Sequence, residues 1–235
     1  MTETSIPRHV VFVPDGNRRW AKARGKMAAD GHRAGADVFK NLLGWCKEAG
    51  IKEVSFWGLS TENLKRSKIE LEFLFKLFEE LCDEIIKNYK ADSSKDRVRV
   101  KFCGEINRLP EWLVKKMREA EEVTKDFEDY KLNLLVAYGG RYEILQAVKS
   151  IAKDAKEGKI DPEFLTDDAI RSRLHVQSDP DLIVRTGHAC LSGLLPWQGT
   201  YAEIIFLDKF WPDFSKEDLQ ACLDEFSKRK RNFGK

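Results

Sequence analysis

No apolar run in the chain approaches the ~18 residues that a bilayer-crossing helix requires, and the start Met1-Thr-Glu-Thr-Ser-Ile-Pro7 lacks the basic-then-apolar layout of a secretory signal. A soluble, cytoplasmic protein is expected, with a peripheral contact to a membrane surface left open. Cysteine is sparse and unpaired: Cys46, Cys82, Cys103, Cys190 and Cys222 form an odd set with no close pair and no zinc-ligand spacing, which fits a reducing compartment. Charge of one sign is also missing. With 41 basic and 39 acidic residues the net charge is +2, too balanced for a nucleic-acid binder that relies on a broad basic field. No Pro/Ser/Gly-rich linker divides the 235 residues, so a single domain over 1–235 is expected. The first strand pattern is not followed by Gly-x-Gly-x-x-Gly, which removes the usual dinucleotide fingerprint. The one basic cluster, Lys228-Arg-Lys-Arg231, reads as a solvated helix end or as a contact for phosphate or a membrane surface.

What is present is an alternation of short β-branched or aromatic runs with longer amphipathic ones, the pattern of an α/β domain whose mostly parallel sheet is flanked by helices. Strands are predicted at Val10 to Val13, Val54 to Trp57, Val98 to Phe102, Leu132 to Ala137, Leu182 to Val184 and Ala202 to Phe206. Helices are predicted at about 34–49, 68–90, 110–127, 141–157, 166–174 and 215–231. In the second of these, Leu71, Leu74, Phe75, Phe78, Leu81, Ile85 and Ile86 recur at three- and four-residue spacing and make one broad apolar face. Such a face serves either core packing or the wall of a hydrocarbon tunnel.

The chemistry-bearing residues fall at strand ends. His9-Val-Val-Phe-Val-Pro-Asp-Gly-Asn-Arg-Arg-Trp20 runs from a buried-strand pattern into a carboxylate, a glycine, an amide and two guanidiniums. Asp15 offers oxygens to a hard cation, Gly16 permits close backbone approach, and Arg18 and Arg19 can grip phosphate oxygens, a combination suited to a magnesium diphosphate. A strand ending in an Asp-Gly turn with two solvated arginines would read the same way. Gly31-His32-Arg33-Ala34-Gly35 stands where a helix should begin, so free N–H groups there would favour an anion, with His32 as a hydrogen-bond donor or a structural residue. Ser60-Thr-Glu62-Asn63-Leu-Lys-Arg66 follows the second strand, where α/β proteins place ligands; it is also compatible with a helix cap. Tyr138-Gly-Gly-Arg-Tyr142 repeats the theme, with Arg141 read as a structural ion-pair partner. Asp179-Pro-Asp-Leu-Ile-Val-Arg-Thr-Gly187 leads to Arg185, then Ser192 and Glu203, the last a candidate second metal carboxylate across from Asp15. The convergence of these loops carries the reading.

Taken together, the segments Asp15-Gly-Asn-Arg-Arg-Trp20, Gly31-His32, Ser60-Thr-Glu-Asn63 with Arg66, Tyr138-Gly-Gly-Arg141, Asp181-Leu-Ile-Val-Arg-Thr186, Tyr201-Ala-Glu203 and Trp211-Pro-Asp-Phe214 resemble the cis-prenyltransferase family typified by undecaprenyl diphosphate synthase. The resemblance runs from His9 to Gly234. It implies a single α/β domain with an apolar tunnel, paired as a homodimer, that condenses isopentenyl diphosphate with an allylic prenyl diphosphate to give a cis-polyprenyl diphosphate, using Mg2+. Carried over by position, Asp15 and Asn63 are implied as catalytic, Asp15 and Glu203 as metal-linked, and Gly16, Asn17, Arg18, Arg19, Trp20, His32, Ser60, Glu62 and Arg66 as allylic-substrate contacts. Arg185, Ser192 and Glu203 are implied in the isopentenyl diphosphate site.

Three departures from the family pattern stand out. An arginine usual before the Gly-His pair is replaced by Ala28; the isopentenyl segment reads Arg185-Thr-Gly-His-Ala-Cys-Leu-Ser192, one residue short and without its second arginine; and the Arg-x-Gly near the C-terminus is Asn232-Phe-Gly234. Each lost guanidinium contact to a charged group is worth about 1.5–3 kcal/mol, so the acceptor side is expected to hold its diphosphate less firmly. Two other readings follow from these losses: transfer to a different acceptor, such as another allylic diphosphate or an alcohol, and a non-catalytic subunit of a heteromeric synthase. Retention of Asp15, Asn63 and Glu203 argues against the second.

Overall fold

The computed structural model describes residues 6–91 and 97–229. Six parallel strands form one sheet: β1 (His9–Val13), β2 (Glu53–Ser60), β3 (Val98–Cys103), β4 (Tyr130–Tyr138), β5 (Leu182–Thr186) and β6 (Glu203–Leu207), in the order β3-β4-β2-β1-β5-β6. All six predicted strands are present. β1, His-Val-Val-Phe-Val, is buried at every position, as expected of a central parallel strand covered on both faces. Its alternate residues enter two cores: Val10 and Phe12 pack on one face, Val11 and Val13 on the other.

The helices are α1 (Asn17–Ala23), α2 (Ala28–Glu48), α3 (Lys68–Ala91), α4 (Glu111–Thr124), α5 (Gly140–Lys156), α6 (Asp167–Arg171) and α7 (Lys216–Lys228). Two readings of the sequence need correction. α1 was not expected, because Asp15-Gly16 looks like a turn into loop; the turn instead launches a short helix, Gly16 taking φ 107° as its N-cap. And Gly31-His32 does not begin a helix: α2 starts at Ala28 and carries both residues one turn inside. The glycines there serve packing. A Cβ on Gly31 would stand 2.1 Å from the Asn17 carbonyl oxygen, and one on Gly35 would stand 2.6 Å from Asn17 Oδ1, so α1 lies against α2 only because both side chains are absent.

Near the C-terminus Trp211 and Phe214 belong to the core, whereas Phe206 is 42% exposed. Trp211 and Phe214 are buried, stacked at 5.1 Å and packed on Phe12 and Phe56, and the Trp211 indole donates to the Gly35 carbonyl at 2.8 Å. Other exposed apolar side chains are Tyr142, Leu145 and Val148 on α5, and Phe164 and Leu165. The C-terminal expectations at 230–235, including Asn232-Phe-Gly234, lie outside the described residues. No helix among the described residues is long and apolar enough to cross a membrane.

Candidate active site

β1 sits where the chain's order along the sheet reverses: its neighbours are β2 on one side and β5 on the other. Ligands of open parallel sheets bind beyond the carboxyl ends of strands at such a point. There the chain places Asp15 after β1, Ser60 at the end of β2, and Arg185 near the end of β5. A cavity of about 490 Å³ opens beside them.

Asp15 is held from both sides. Arg19 Nη2 donates to Oδ1 at 3.0 Å and Arg185 Nη2 to Oδ2 at 3.0 Å. Its backbone is pinned as well, since the Asp15 N–H donates to Thr186 Oγ1 at 3.1 Å and the Thr186 hydroxyl donates to the Asp15 carbonyl at 2.8 Å. Arg19 also donates to the Gly187 carbonyl at 2.8 Å and lies over the Phe210 ring. Arg185 is almost wholly buried; through Nη1 it reaches Ser192 Oγ at 2.8 Å and the Cys190 carbonyl. Ser192 has φ 52°, a left-handed backbone that bends the short loop back onto the arginine. Hydrogen bonds from the Ser192 N–H and hydroxyl, with the Arg185 charge nearby, hold the exposed Cys190 thiol below its usual pKa.

A second cluster faces the first. Glu70, in the first turn of α3, accepts from His32 Nε2 at 2.9 Å and from Arg66 Nη1 at 3.0 Å, with Arg18 Nη1 at 3.9 Å. Burial pushes the His32 imidazole below its usual value, so at neutral pH the ring is neutral and donates through Nε2. Glu70 escaped the sequence reading. Its only signal is the i,i+4 spacing from Arg66, which any solvated helix pair shares.

Four residues that line the cavity have a buried polar atom with no protein partner: Asn17 Oδ1, Trp57 Nε1, Arg66 Nε and Arg185 Nε. Two orphaned guanidinium N–H groups at one opening make a place for anionic oxygens, because an unpaired buried donor costs about 1–3 kcal/mol until something accepts from it. Beyond this polar mouth the wall becomes apolar, with Phe39, Phe56, Leu74, Phe78 and Leu134. The α3 stripe therefore divides its service: Leu74 and Phe78 face the cavity while Ile85 and Ile86 pack in the core.

Of the residues expected at the site, Asp15, Gly16, Asn17, Arg18, Arg19, His32, Ser60, Asn63, Arg66, Arg185 and Ser192 all line this cavity. Three do not. Trp20 turns to the side, its indole donating to Asp213 Oδ1 at 2.6 Å and its ring carrying Arg24, which ties α1 to the turn Trp211–Asp213. Glu62 is exposed in the turn Glu62–Lys65 and contributes no wall. Glu203 does not stand across from Asp15 within the chain: it opens β6 in register with Leu182, three positions before Arg185, so about 10 Å of strand separates the two levels. Its carboxylate instead accepts from Arg229 Nη1 at 2.7 Å. The Tyr138–Tyr142 loop also points away; the buried Tyr138 hydroxyl donates to Glu143 Oε2 at 2.7 Å.

Metal donors are few. Among the described residues no three His, Cys, Asp or Glu side chains group as a ligand set. Mg2+ commonly binds through one or two carboxylates together with substrate phosphates, and Asp15, partly exposed at the mouth, is a carboxylate of that kind.

Residues 13–234 match the prenyltransferase family model described as undecaprenyl diphosphate synthase. The chain belongs to this family. An isoprenyl transferase from Thermotoga maritima is 44% identical over 232 residues, covering 97% of either chain. A geranylgeranyl-diphosphate-specific tritrans,polycis-undecaprenyl-diphosphate synthase from Methanopyrus kandleri is 42% identical over 236 residues, 99% of this chain and 86% of that one. Among solved structures, lavandulyl diphosphate synthase from Lavandula x intermedia, in complex with dimethylallyl diphosphate, superposes with a TM-score of 0.92 at 31% identity over 98% and 99% of the two chains. The single α/β domain with a parallel central sheet, expected from the sequence, is thus the fold of these solved structures, and the chain belongs to a family that transfers prenyl groups.

Proposed function

We propose that this prenyltransferase condenses isopentenyl diphosphate with an allylic prenyl diphosphate at the mouth between Asp15 and Glu70. The observation that supports it is the pairing of two orphaned guanidinium N–H groups, on Arg66 and Arg185, with an apolar cavity directly behind them. A diphosphate joined to a hydrocarbon chain has that same division.

In this reading the allylic diphosphate rests beside the Asp15–Asn17 turn and is gripped by Arg19 and Arg66, while neutral His32, its one N–H given to Glu70, holds that carboxylate in place. Its hydrocarbon lies along Phe39, Leu74 and Phe78, where water is excluded from the developing allylic cation. The carbon–oxygen bond breaks and the electron pair leaves with the diphosphate, whose charge the guanidiniums stabilise. The double bond of isopentenyl diphosphate, held by Arg185 and Ser192, attacks the allylic carbon, and the cation so formed gives up a proton to an oxygen of the departed diphosphate, leaving a new double bond. Asn63, beside Ser60 on the cavity wall, is placed to orient the breaking bond. Mg2+, when bound by Asp15 and diphosphate oxygens, adds charge neutralisation on the leaving group.

The acceptor side motivates a second reading. Arg185 is the guanidinium of its short loop, and it is already engaged by Asp15, Ser192 and Cys190, while His188 and Cys190 are exposed. Transfer to another acceptor, an allylic diphosphate or an alcohol, fits a weaker diphosphate grip at that position. The test is incubation with magnesium and labelled geranylgeranyl or farnesyl diphosphate, with and without isopentenyl diphosphate, followed by mass analysis. Products longer by five-carbon units that need isopentenyl diphosphate support the first reading. Labelled products formed without it support the second, and no transfer under any condition contradicts both.

A homodimer acting in the cytoplasm accompanies this reading. Its support is the exposed apolar side chains Tyr142, Leu145 and Val148 on α5. A light-scattering mass near 27.1 kDa at micromolar concentration would contradict it.

A further inference from the structure

Gly139 and Gly140, which follow β4, line no part of the cavity. Neither needs glycine for its backbone: Gly139 is extended, with φ −146°, and Gly140 opens α5 without a positive φ. Alanine meets no conformational obstacle at such positions, so what excludes a side chain is the close approach of other parts of the chain. Two different loops make that approach. A Cβ on Gly139 would stand 2.6 Å from Thr61 Oγ1, and one on Gly140 would stand 2.2 Å from both the Gly193 carbonyl oxygen and Pro196 Cδ. The backbone bonds divide in the same way. The Thr61 N–H donates to the Tyr138 carbonyl at 3.1 Å, and the Gly140 N–H donates to the Gly193 carbonyl at 3.2 Å.

These loops carry the two halves of the site. Thr61 lies between Ser60 and Asn63, which line the cavity, and Gly193 follows Ser192, whose hydroxyl Arg185 holds at 2.8 Å. The far end of the second loop is tied to α5 as well, Gln198 Nε2 donating to Glu143 Oε2 at 3.3 Å. The backbone is irregular wherever it meets the turn. The β2–β4 register shifts at Leu59 and Ser60, and Ala137, Ser192 and Leu195 have φ of 49°, 52° and 37°. Left-handed backbone at residues other than glycine persists only where the surroundings hold it, so the loops are seated on this turn in one fixed arrangement.

We propose that Gly139 and Gly140 are positioning residues for the condensation: their turn is a common seat for both substrate loops, and it sets the separation of Asn63 from Ser192, and hence of the breaking bond from the attacking double bond. This rests on the condensation reading above. Misplacing a reacting group by about 1 Å can cost roughly 10²-fold in rate, so a turn that touches neither substrate still leaves a kinetic signature. The two glycines differ in what they meet. Gly140 faces a backbone carbonyl and a proline ring, which yield only if the acceptor loop moves, whereas Gly139 faces one threonine side chain.

The test compares Gly140→Ala, Gly139→Ala, Thr61→Ala and the double Gly139→Ala/Thr61→Ala in the full chain, with folding verified by thermal melting. Steady-state constants are read for a single condensation on a short allylic primer. Gly140→Ala is expected to raise the KM for isopentenyl diphosphate by about tenfold or more while the allylic KM stays within about twofold. Gly139→Ala is expected to lower kcat by about tenfold with the isopentenyl diphosphate KM within about twofold. The double should return kcat to the value of Thr61→Ala alone, because Thr61→Ala removes Oγ1 and Cγ2 from the contact and keeps the backbone bond to Tyr138. Unchanged constants in the folded glycine variants overturn the proposal and leave the condensation reading intact. So does the same loss on every constant in both variants, which would be a general structural effect, and so does a double that stays slower than Thr61→Ala. If Gly140→Ala does not fold, Gly139→Ala and its double decide the matter by the same criteria. Absence of any transfer by the native protein removes both readings.

Discussion

Arg185 and Asp15 form a 3.0 Å ion pair in which the guanidinium is 7% exposed and the carboxylate 34%, so a buried cation presents an anion to the mouth of the cavity. The pair crosses from β5 to the end of β1, and the same guanidinium reaches the short loop through Ser192 and the Cys190 carbonyl. Arg185 therefore couples the donor and acceptor sides. Lysine has one point charge and cannot hold these partners at once. Arg185→Lys is expected to lower kcat/KM for isopentenyl diphosphate by at least about tenfold, with a smaller effect on the allylic KM. Equal losses on both substrates would contradict that division of roles.

Glu70 gathers His32, Arg66 and Arg18, and so positions the donors assigned to the allylic diphosphate. Glu70→Gln keeps the shape and removes the charge. Its expected effect is a rise of about tenfold or more in allylic KM, since a hydrogen bond to a charged group is worth about 1.5–3 kcal/mol. Steady-state kinetics with folding checked by thermal melting decides it; an unchanged KM would show that the arginines hold their places without Glu70.

Two glycines of one helix should respond oppositely. Gly31→Ala drives a Cβ into the Asn17 carbonyl and is expected to cost about 1–3 kcal/mol and to reduce activity by shifting α1. Gly44→Ala meets nothing within 4 Å and should stabilise α2 by about 0.5–1 kcal/mol. Denaturant titration of both variants is sufficient, and a destabilising Gly44→Ala or a neutral Gly31→Ala would contradict the packing account.

Burial lowers the pKa of His9, His32 and His175 below the ordinary imidazole value of about 6.5. In the unfolded chain these rings take up protons first as pH falls, so ΔG of unfolding drops below pH ~6.5 until the lowered folded values are passed. Stability is expected to be level above pH ~7 and to decline from there towards pH 5. His32→Gln should make the decline shallower. Stability that is flat or rises on acidification would contradict the neutral, buried assignment.

The sequence made the strands legible because a parallel sheet buried on both faces writes continuous apolar runs such as Val10 to Val13 and Leu134 to Ala137. Residues that line the cavity were legible where polar side chains and strand ends coincide, as at Asp15 and Arg185. What escaped depends on tertiary context. α1 is seven residues long and is held by Trp20 on Asp213 and by the glycine groove of α2, neither of which leaves a local periodic signal. Glu203 shares its acidity with any metal ligand, and only strand register reveals that it begins β6 rather than facing Asp15. Trp211 and Phe214 have the composition of a sticky surface and the location of a core.

The central claim is that Asp15, clasped by Arg19 and Arg185, stands where the allylic diphosphate departs. The most direct measurement is the turnover of Asp15→Ala, with native folding verified, on labelled allylic diphosphate plus isopentenyl diphosphate at saturating magnesium. Loss of a preorganised charge-stabilising group costs about 10²–10³ in rate, and that loss is predicted here together with a lowered melting temperature, because the buried Arg185 guanidinium loses its carboxylate. A folded Asp15→Ala protein that keeps more than about a tenth of the native rate would contradict the claim.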